Sequence, residues 1–378
     1  MNYRPKRIIS LLGDIQLSRP YYHCEHCHEG IWPWDQILCL SPERLTPAAQ
    51  EITALGGTIN SFGKAADRIL EKLAGLRLSE STVERTTETA GQRLGTRLHE
   101  GEVFGPKVDW QWHQDAEGKT CAYASVDGTG IMMQGPEGAK ADGRMVNVGM
   151  IFNPQPRAAK EKDLCKPCDG VRYLAGLYTL EELGLLMRRQ GAQVGMDQAD
   201  NWIALTDAGN GLDHFMEVNF PRAIRIVDFR HASEYVHDFT KAYRPGEEGK
   251  SCAQTWCHQL KHEGGAALLA VLEELDRQSM SSAAQEQYDK ALTYFGNHYT
   301  RMDYPSYLAK GWQIGTGAME SACKTVINQR LNMGSMRWGE AGSDAVCHLR
   351  ALYCSDPDQW DAFWSNPRSR KSQVKKAA

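Results

Sequence analysis

The sequence predicts an α+β fold in which a mixed sheet is flanked by helices and carries an all-helical insertion. Three short apolar runs separated by turn residues follow Val108, which indicates an antiparallel meander. Helix, strand, helix and strand patterns come next. From residue 252 to residue 299 the apolar residues recur only at helical period. The two periods separate a strand-containing core, residues 99–243 and 311–352, from a helical insertion, residues 244–310.

Two smaller regions are predicted ahead of the core. Residues 1–45 begin with an alternating run that indicates a hairpin and continue into a CxxC knuckle, as in a zinc ribbon. Residues 46–98 change to helical period. Helices over 63–73 and 80–93, on either side of a turn at Gly75, resemble a helix-turn-helix. Both DNA binding and plain structural packing explain such a pair.

The elements of the core follow from the local pattern. The three strands of the meander are assigned to the runs AYASVDG, GIMMQ and RMVNVGMIF. The later strands are assigned to NWIALT and AIRIVDF, each preceded by a helix, over residues 180–190 and 211–218. Further helices are expected over 231–243 and about 317–331, and residues 353–378 form a basic tail.

The composition fits a globular protein and excludes a membrane protein. The chain has 378 residues, of which 42% are apolar, and no apolar stretch approaches the roughly 18 residues that span a bilayer. No secretory-signal pattern is visible in the first 13 residues, so we expect a cytoplasmic protein whose 11 cysteines are reduced or bind metal. The net charge of -4 lacks the basic footprint of many nucleic-acid binders, although basic residues cluster along 324–350 and 368–376.

Three acidic residues form a candidate catalytic set. Asp127 is expected at the end of the first strand, where Gly128 lets the backbone turn, and Asp207 at the matching end of the fourth strand. Glu320 is expected in the first turn of the last long helix. Each could be a turn or helix-capping acid alone, but together they offer the oxygen ligands that Mg²⁺ or Mn²⁺ prefers. Two such ions can activate an attacking oxygen and stabilise a leaving one at a phosphate.

Asp228 and His231 lie at the junction between the fifth strand and the following helix. This DxxH pair is explained by an Asx cap beside an orienting imidazole, or by a further metal-site acid with a supporting histidine. We favour the supporting role for both residues.

The acidic motifs resemble those of a known family. They stand as VDGTG (126–130), TDAG (206–209) and GTGAMESACK (315–324), followed by RLNMGSMRWGEAGSDAVCHLRA. These motifs, in this order, are similar to those of bacterial insertion-sequence transposases of the Kra-four type, relatives of the Mutator-like group. Ala208 stands where the family commonly has glycine. The resemblance covers most of residues 8–352.

The resemblance implies a fold and an activity. It implies an RNase H-like core that cleaves the ends of an insertion element and joins them to target DNA, with Asp127, Asp207 and Glu320 holding two Mg²⁺ or Mn²⁺ ions. The implied partners are the element's terminal inverted repeats, the target DNA and further copies of the chain in a homodimer or higher synaptic assembly. The implied location is the bacterial cytoplasm, at the nucleoid during activity. A decayed transposase that only binds DNA, an RNase H-like nuclease or resolvase without joining activity, and a structural zinc protein are the alternatives.

Four residues beyond the acids are candidates for DNA contacts. Lys324, Arg330 and Arg337 could neutralise phosphates, and Trp338 could stack on an unpaired base. A core position for Trp338, with the charges merely solvated, is the competing interpretation.

Zinc is expected to be held weakly. Cys24 and Cys27 supply half of a tetrahedral site, and family members usually carry another cysteine pair upstream of the hairpin. We therefore expect an incomplete site at this hairpin. Cys165 and Cys168 form a second CxxC pair in a lysine-rich loop, for which coincidence and a local metal clip both remain open.

Overall fold

The N-terminal region is a hairpin, as the alternating run predicts. The computed structural model describes residues 2–139, 141–155, 168–207, 209, 211–334 and 336–365. Two long antiparallel strands, β1 (Asn2–Ser10) and β2 (Gly13–His23), pair along their whole length, and the short β3 (Gly30–Ile31) pairs with the end of β2. Gly13 closes the turn with φ 108°, a value that L side chains rarely adopt.

Aromatic and cationic side chains order the far end of this hairpin. The rings of Tyr21 and Trp32 lie 4.5 Å apart, and the guanidinium of Arg19 lies 3.5 Å from the centroid of Trp32. At the near end, the backbone N–H of Ile9 donates to the carbonyl of Arg44 over 2.8 Å. The hairpin is therefore joined to the following helices by backbone hydrogen bonds.

Helices fill the next region, which confirms the helical period predicted there. They are α1 (Pro33–Ile37), α2 (Pro47–Ile59), α3 (Phe62–Lys64), a π-helical segment (Ala65–Leu70), α4 (Glu71–Ala74) and α5 (Glu80–His99). Gly75 ends α4 in the left-handed conformation, and the side chain of Ser79 caps α5 by accepting from the N–H of Thr82. The predicted pair of helices around Gly75 is present.

A five-stranded mixed sheet forms the centre of the molecule. Its strands are β4 (Cys121–Ile131), β5 (Arg144–Pro154), β6 (Cys168–Gly176), β7 (Asn201–Thr206) and β8 (Ala223–Val227). The spatial order is β6-β5-β4-β7-β8. The pairs β6·β5 and β5·β4 are antiparallel, whereas β4·β7 and β7·β8 are parallel. The predicted meander followed by two helix-connected strands is thus present, although one of its strands lies elsewhere in the sequence.

The prediction of the second strand of the meander is wrong. The run GIMMQ begins inside β4, whose pairing with β5 continues to the pair Ile131↔Arg144. Gly128 and Gly130 look like turn residues in the sequence but lie within the strand, opposite Asn147 and Met145. The third strand is β6, in the stretch that we expected to be a loop.

Helices account for the remaining described elements. Those of the core and the helical region are α6 (Leu180–Gln193), α7 (Leu212–Asn219), α8 (Phe229–Tyr243), α9 (Glu247–Glu263), α10 (Gly265–Glu273), α11 (Ser282–His298) and α12 (Tyr304–Ala309). The C-terminal ones are α13 (Gly317–Ala322), a π-helical segment (Cys323–Asn328), α14 (Gln329–Leu331), α15 (Glu340–Cys354) and α16 (Pro357–Ser365). Single 3-10 turns occur at Pro136–Gly138, Met196–Gln198, Arg277–Ser279 and Tyr299–Arg301.

Both faces of the sheet are buried. Along β4, Cys121 and Tyr123 face a core that α8 to α14 complete, whereas Ala122 and Ala124 face a second core formed with α5, α6 and α7. All secondary-structure elements described between β8 and α13 are helices, as the apolar period predicts. No helix in the described ranges is long and apolar enough to cross a membrane.

Candidate active site

Asp127 lies inside β4 rather than at its end. The pairing of β4 with β7 stops at Ser125↔Leu205, while the pairing with β5 continues on the other side. The predicted strand end is therefore an end only with respect to β7. One carboxylate oxygen of Asp127 accepts from the N–H of Gly128 over 2.7 Å, and the other lies 3.8 Å from the thiol of Cys323.

Asp207 directly follows β7, as predicted. Because β7 is the parallel neighbour of β4, the two aspartates come from adjacent strands. The Asp207 carboxylate accepts from the N–H of Gly209 over 2.8 Å, which closes a small turn. Residues 208 and 210 lie outside the described residues.

Glu320 lies in the first turn of α13, again as predicted. Its backbone N–H donates to the carbonyl of Thr316, and its carboxylate pairs with the guanidinium of Arg230 at 2.8 Å. Both side chains of this ion pair are about half exposed, with 48% for Glu320 and 59% for Arg230. The pair therefore contributes little to stability, and the glutamate is open to other ligands.

The negative charges of Asp207 and Glu320 influence the ionisation of Asp127. Burial raises the pKa of Asp127, and the negative charges of Asp207 and Glu320 raise this pKa further, against the hydrogen bonds from Gly128 and Cys323. The negative charges of Asp207 and Glu320 thus act on Asp127, and a shared metal site for the three acids stays a prediction. Within the described parts of the chain, however, no three His, Cys, Asp or Glu side chains lie close enough to hold a metal ion. The Glu320 carboxylate pairs with Arg230, and the Asp207 carboxylate accepts from the N–H of Gly209.

Asp228 is a supporting residue, since both of its carboxylate oxygens are used structurally. One accepts from the N–H of Arg230 and caps α8. The other accepts from the hydroxyl of Thr316, in the loop ahead of α13. With 3% of its surface exposed, Asp228 joins the end of β8 to the segment that carries Glu320. This arrangement matches the capping interpretation of the DxxH pair.

Among the described residues, no hydrogen bond joins His231 to Asp228. Its Nδ1 lies 3.3 Å from the carboxylate of Glu234, one turn further along α8. Its ring lies against Tyr235 and Tyr294, with centroid distances of 5.5 Å and 5.9 Å. Tyr294 comes from α11, so the histidine contributes to the contact between α8 and the helical region.

Two of the four residues predicted to contact DNA are buried, and that prediction is wrong for them. Arg330 is completely buried, donates to the carbonyl of Gly57 over 2.8 Å and lies between the rings of Phe62 and Trp338. Trp338 is 6% exposed and donates its indole N–H to the carbonyl of Leu331. Both side chains are buried in the contact between α3 and α14, so neither can contact DNA.

Lys324 and Arg337 are exposed. Lys324 follows Glu320 by about one turn, and Arg337 precedes the buried Trp338. Their contact with DNA remains a prediction.

Cys323 is the residue at this site that the sequence did not single out. Burial first, and then the charges of Asp127 and Glu320, raise the pKa of its thiol to about 12. The thiol is therefore neutral and donates toward Asp127. The signal was its spacing, since Cys323 comes three residues after Glu320 and so lies on the same face of the helix.

Cys24 and Cys27 are exposed thiols at the end of the N-terminal hairpin. A hydrogen bond from the backbone N–H of Cys27 lowers the pKa of Cys24. In the described hairpin, no three His, Cys, Asp or Glu side chains are placed so that they could hold a metal ion. Of the second CxxC pair, Cys168 begins β6, and Cys165 lies outside the described residues.

The chain has no match among known protein families. No family model matches it, and no characterised protein sequence matches it either.

Proposed function

We propose that this protein is a DDE transposase, which cleaves the DNA ends of an insertion element and joins them to target DNA. The observation that carries the proposal is the placement of the acids on the sheet. Asp127 lies on the central strand β4, Asp207 follows its parallel neighbour β7, and Glu320 lies on a helix that returns to the same region. Asp207 and Glu320, from a second strand and a distant helix, both act electrostatically on Asp127, which supports a shared site.

The strand order supports an RNase H-like core. That fold, implied by the motif resemblance, uses three antiparallel strands followed by two helix-connected parallel strands, and the order here is β6-β5-β4-β7-β8. In this interpretation the helices that follow α8, within residues 244–310, are the insertion. The core would then comprise residues 99–243 and 311–352.

The donor set fits divalent cations. Carboxylate oxygens are the ligands that Mg²⁺ and Mn²⁺ prefer. The pKa of Asp127 is raised first by burial and then by the negative charges of Asp207 and Glu320, which a bound cation would offset. Asp127, Asp207 and Glu320 are the residues that would hold the ions. When bound, two such ions activate the attacking oxygen and stabilise the leaving one at the scissile phosphate.

The chain's own residues would position this set. Asp228 fixes the loop ahead of α13 through Thr316, so the helix that presents Glu320 is anchored to the end of β8. Arg230 holds the Glu320 carboxylate. The neutral thiol of Cys323 donates to Asp127, and the Asp127 carboxylate keeps its negative charge for a cation.

One observation favours a second candidate, a derivative that binds DNA without cleaving it. The Glu320 carboxylate is paired with Arg230, and this pairing would persist in a protein that no longer binds metal. Lys324 and Arg337 would still be free to contact phosphates in such a protein.

An assay with labelled DNA separates the candidates. Purified protein is incubated with Mg²⁺ and a duplex that carries the inverted repeats flanking its gene, with Glu274→Gln, an exposed acid far from the site in sequence, as control. A transposase yields a nicked end with a 3′ hydroxyl and then a joined product. Hydrolysis without joining identifies a nuclease, and a shifted but uncut duplex identifies the binding-only derivative; either result contradicts the proposal.

A further inference from the structure

A second site is visible in a cavity that lies away from the acids. The cavity has a volume of about 180 Å³, room for several water molecules at roughly 30 Å³ each. Three parts of the chain line it: the connection between α1 and α2, the middle of α5, and Trp364 near the end of α16. An occupant would touch all three.

Three hydrogen-bond donors in the wall of this cavity have no acceptor in the described structure. They are the hydroxyl of Thr86, Nε of Arg93 and the indole N–H of Trp364. Guanidinium and indole groups can only donate, so they require an acceptor. Leaving buried donors unsatisfied costs free energy, and proteins rarely do so without a ligand or water at the site.

Thr86 differs from its neighbours in a way that makes its hydroxyl available. Four other threonines in these helices donate to the carbonyl four residues earlier, namely Thr53, Thr58, Thr87 and Thr96. Thr86 makes no such bond, although it is only 5% exposed. Its hydroxyl is therefore buried and unpaired, and Thr86 lines the cavity.

Arg93 lacks the carboxylate that its neighbour on the same helix has. Arg97 binds Glu102 through two nitrogens. Arg93 makes no ion pair with any described residue. The guanidinium of Arg93 lies 4.6 Å and 4.8 Å from the ring centroids of Phe363 and Trp364. Burial lowers the pKa of Arg93 to about 10, as expected for a desolvated cation without a counter-ion.

The other charged side chain in the cavity wall, Glu43, already has a cationic partner. Glu43 lies 3.5 Å from Arg85, which offsets its negative charge. The amide N–H of Gln50 is also used, since it donates to the carbonyls of Cys39 and Leu45. The groups left for an occupant are therefore donors around a cation.

We propose that this cavity binds a small phosphate-bearing anion, which accepts hydrogen bonds from Thr86, Arg93 and Trp364. A phosphate group is negatively charged and offers several acceptor oxygens, and arginine binds it through two nitrogens. Because the donors come from α5 and α16, binding holds the C-terminal helix against the helical region. This proposal does not depend on the DNA chemistry proposed above.

Thermal unfolding with inorganic phosphate tests the site. Phosphate should raise the melting temperature of the full chain above that in NaCl of the same ionic strength, because it binds the folded state only. Arg93→Met should weaken phosphate binding by about tenfold or more, and Thr86→Val and Trp364→Phe by about three- to tenfold each. Arg222→Met, which removes an arginine lying 4.9 Å from the ring centroid of Trp202, is the matched control and should leave phosphate binding unchanged.

A second readout keeps the test informative if a variant changes the fold. Arg93→Met removes an unpaired buried cation, so the variant should melt at the same or a higher temperature than the parent without phosphate. Equal phosphate stabilisation of parent and Arg93→Met, or none in the parent, overturns the proposal. So does loss of phosphate binding when duplex DNA is added, since the occupant would then be a backbone phosphate.

Discussion

At the scale of single residues, the burial of Asp127 and the negative charges of Asp207 and Glu320 together lower the stability of the folded protein. Folding raises the pKa of this carboxyl, so the folded state binds its proton more tightly than the unfolded chain does. Ionisation therefore costs stability above the unfolded pKa of about 3.9, and this cost disappears as the pH falls through the folded and then the unfolded value.

Asp127→Asn should consequently stabilise the protein while it abolishes DNA cleavage. We expect a rise in melting temperature at pH 7 that shrinks as the pH is lowered toward about 4. Thermal unfolding across this pH range measures the effect, with Glu274→Gln as the control. A melting temperature that falls at pH 7 would show that Asp127 is a structural residue instead.

Arg330 and Arg337 should respond to substitution in opposite ways, although the sequence suggested one role for both. Arg330→Ala leaves a cavity between Phe62 and Trp338 and removes the bond to Gly57, so we expect a loss of about 2–5 kcal/mol in the free energy of unfolding. Arg337→Ala should change stability by less than about 0.5 kcal/mol and lower the salt dependence of DNA binding by about one phosphate contact.

Chemical denaturation and DNA titrations at several salt concentrations check this pair. Weak DNA binding by a folded Arg330→Ala protein, with Arg337→Ala unaffected, would reverse the assignment. The sequence could not separate the two arginines, because Phe62 and Gly57 lie more than 260 residues away in the chain. Long-range packing of this kind leaves no local pattern.

At the scale of secondary-structure elements, the contact between β8 and the loop ahead of α13 positions Glu320. Thr316→Val removes the hydroxyl that donates to Asp228 but leaves the cap of α8 intact. We expect a loss of about 1 kcal/mol in stability, reduced cleavage and unchanged DNA affinity. Asp228→Ala also removes the cap and should cost about 1 kcal/mol more. Melting curves and cleavage rates of both variants measure these effects.

Thr325→Val is the matched control, because Thr325 lies in the π-helical segment after α13 and its hydroxyl makes no hydrogen bond with the described residues. Full cleavage activity in Thr316→Val would contradict a positioning role for the contact, whatever its effect on stability.

The sequence predicts the type of most elements and misses those whose local pattern is ambiguous. Helices such as α5 and α11 have an apolar stripe, and β7 has a buried apolar run, so both types are predicted correctly. The strand β6 was missed because the expected loop begins before it with a lysine-rich segment. The glycines within β4 look like a turn, and only their pairing with β5 shows that they belong to a strand.

Two π-helical segments were also beyond prediction. One covers Ala65–Leu70, and the other, Cys323–Asn328, follows the turn that carries Glu320. A π-turn changes the face on which later side chains lie, so periodicity misplaces residues beyond it. Arg330, which follows the second segment, is a case in which the predicted exposed position is buried.

At the scale of the whole molecule, the central claim is that Asp127, Asp207 and Glu320 act together. The sequence predicted which acids to consider from their place next to strands and a helix. It could not predict that Glu320 pairs with Arg230 or that Cys323 donates to Asp127, since these contacts depend on how α13 crosses the sheet. The three acids are separated by 80 and 113 residues, so only tertiary structure brings them together.

The most direct test exchanges each acid for a cysteine and compares two metals in the DNA cleavage assay. Mg²⁺ is a hard ion that binds oxygen, whereas Mn²⁺ tolerates a sulfur ligand better. If the acids hold the catalytic ions, Asp127→Cys, Asp207→Cys and Glu320→Cys should lose cleavage with Mg²⁺, and at least one should regain it with Mn²⁺. The parent and Glu274→Cys should cleave with either ion. Cleavage with Mg²⁺ at the parent rate in any of the three variants would contradict the account.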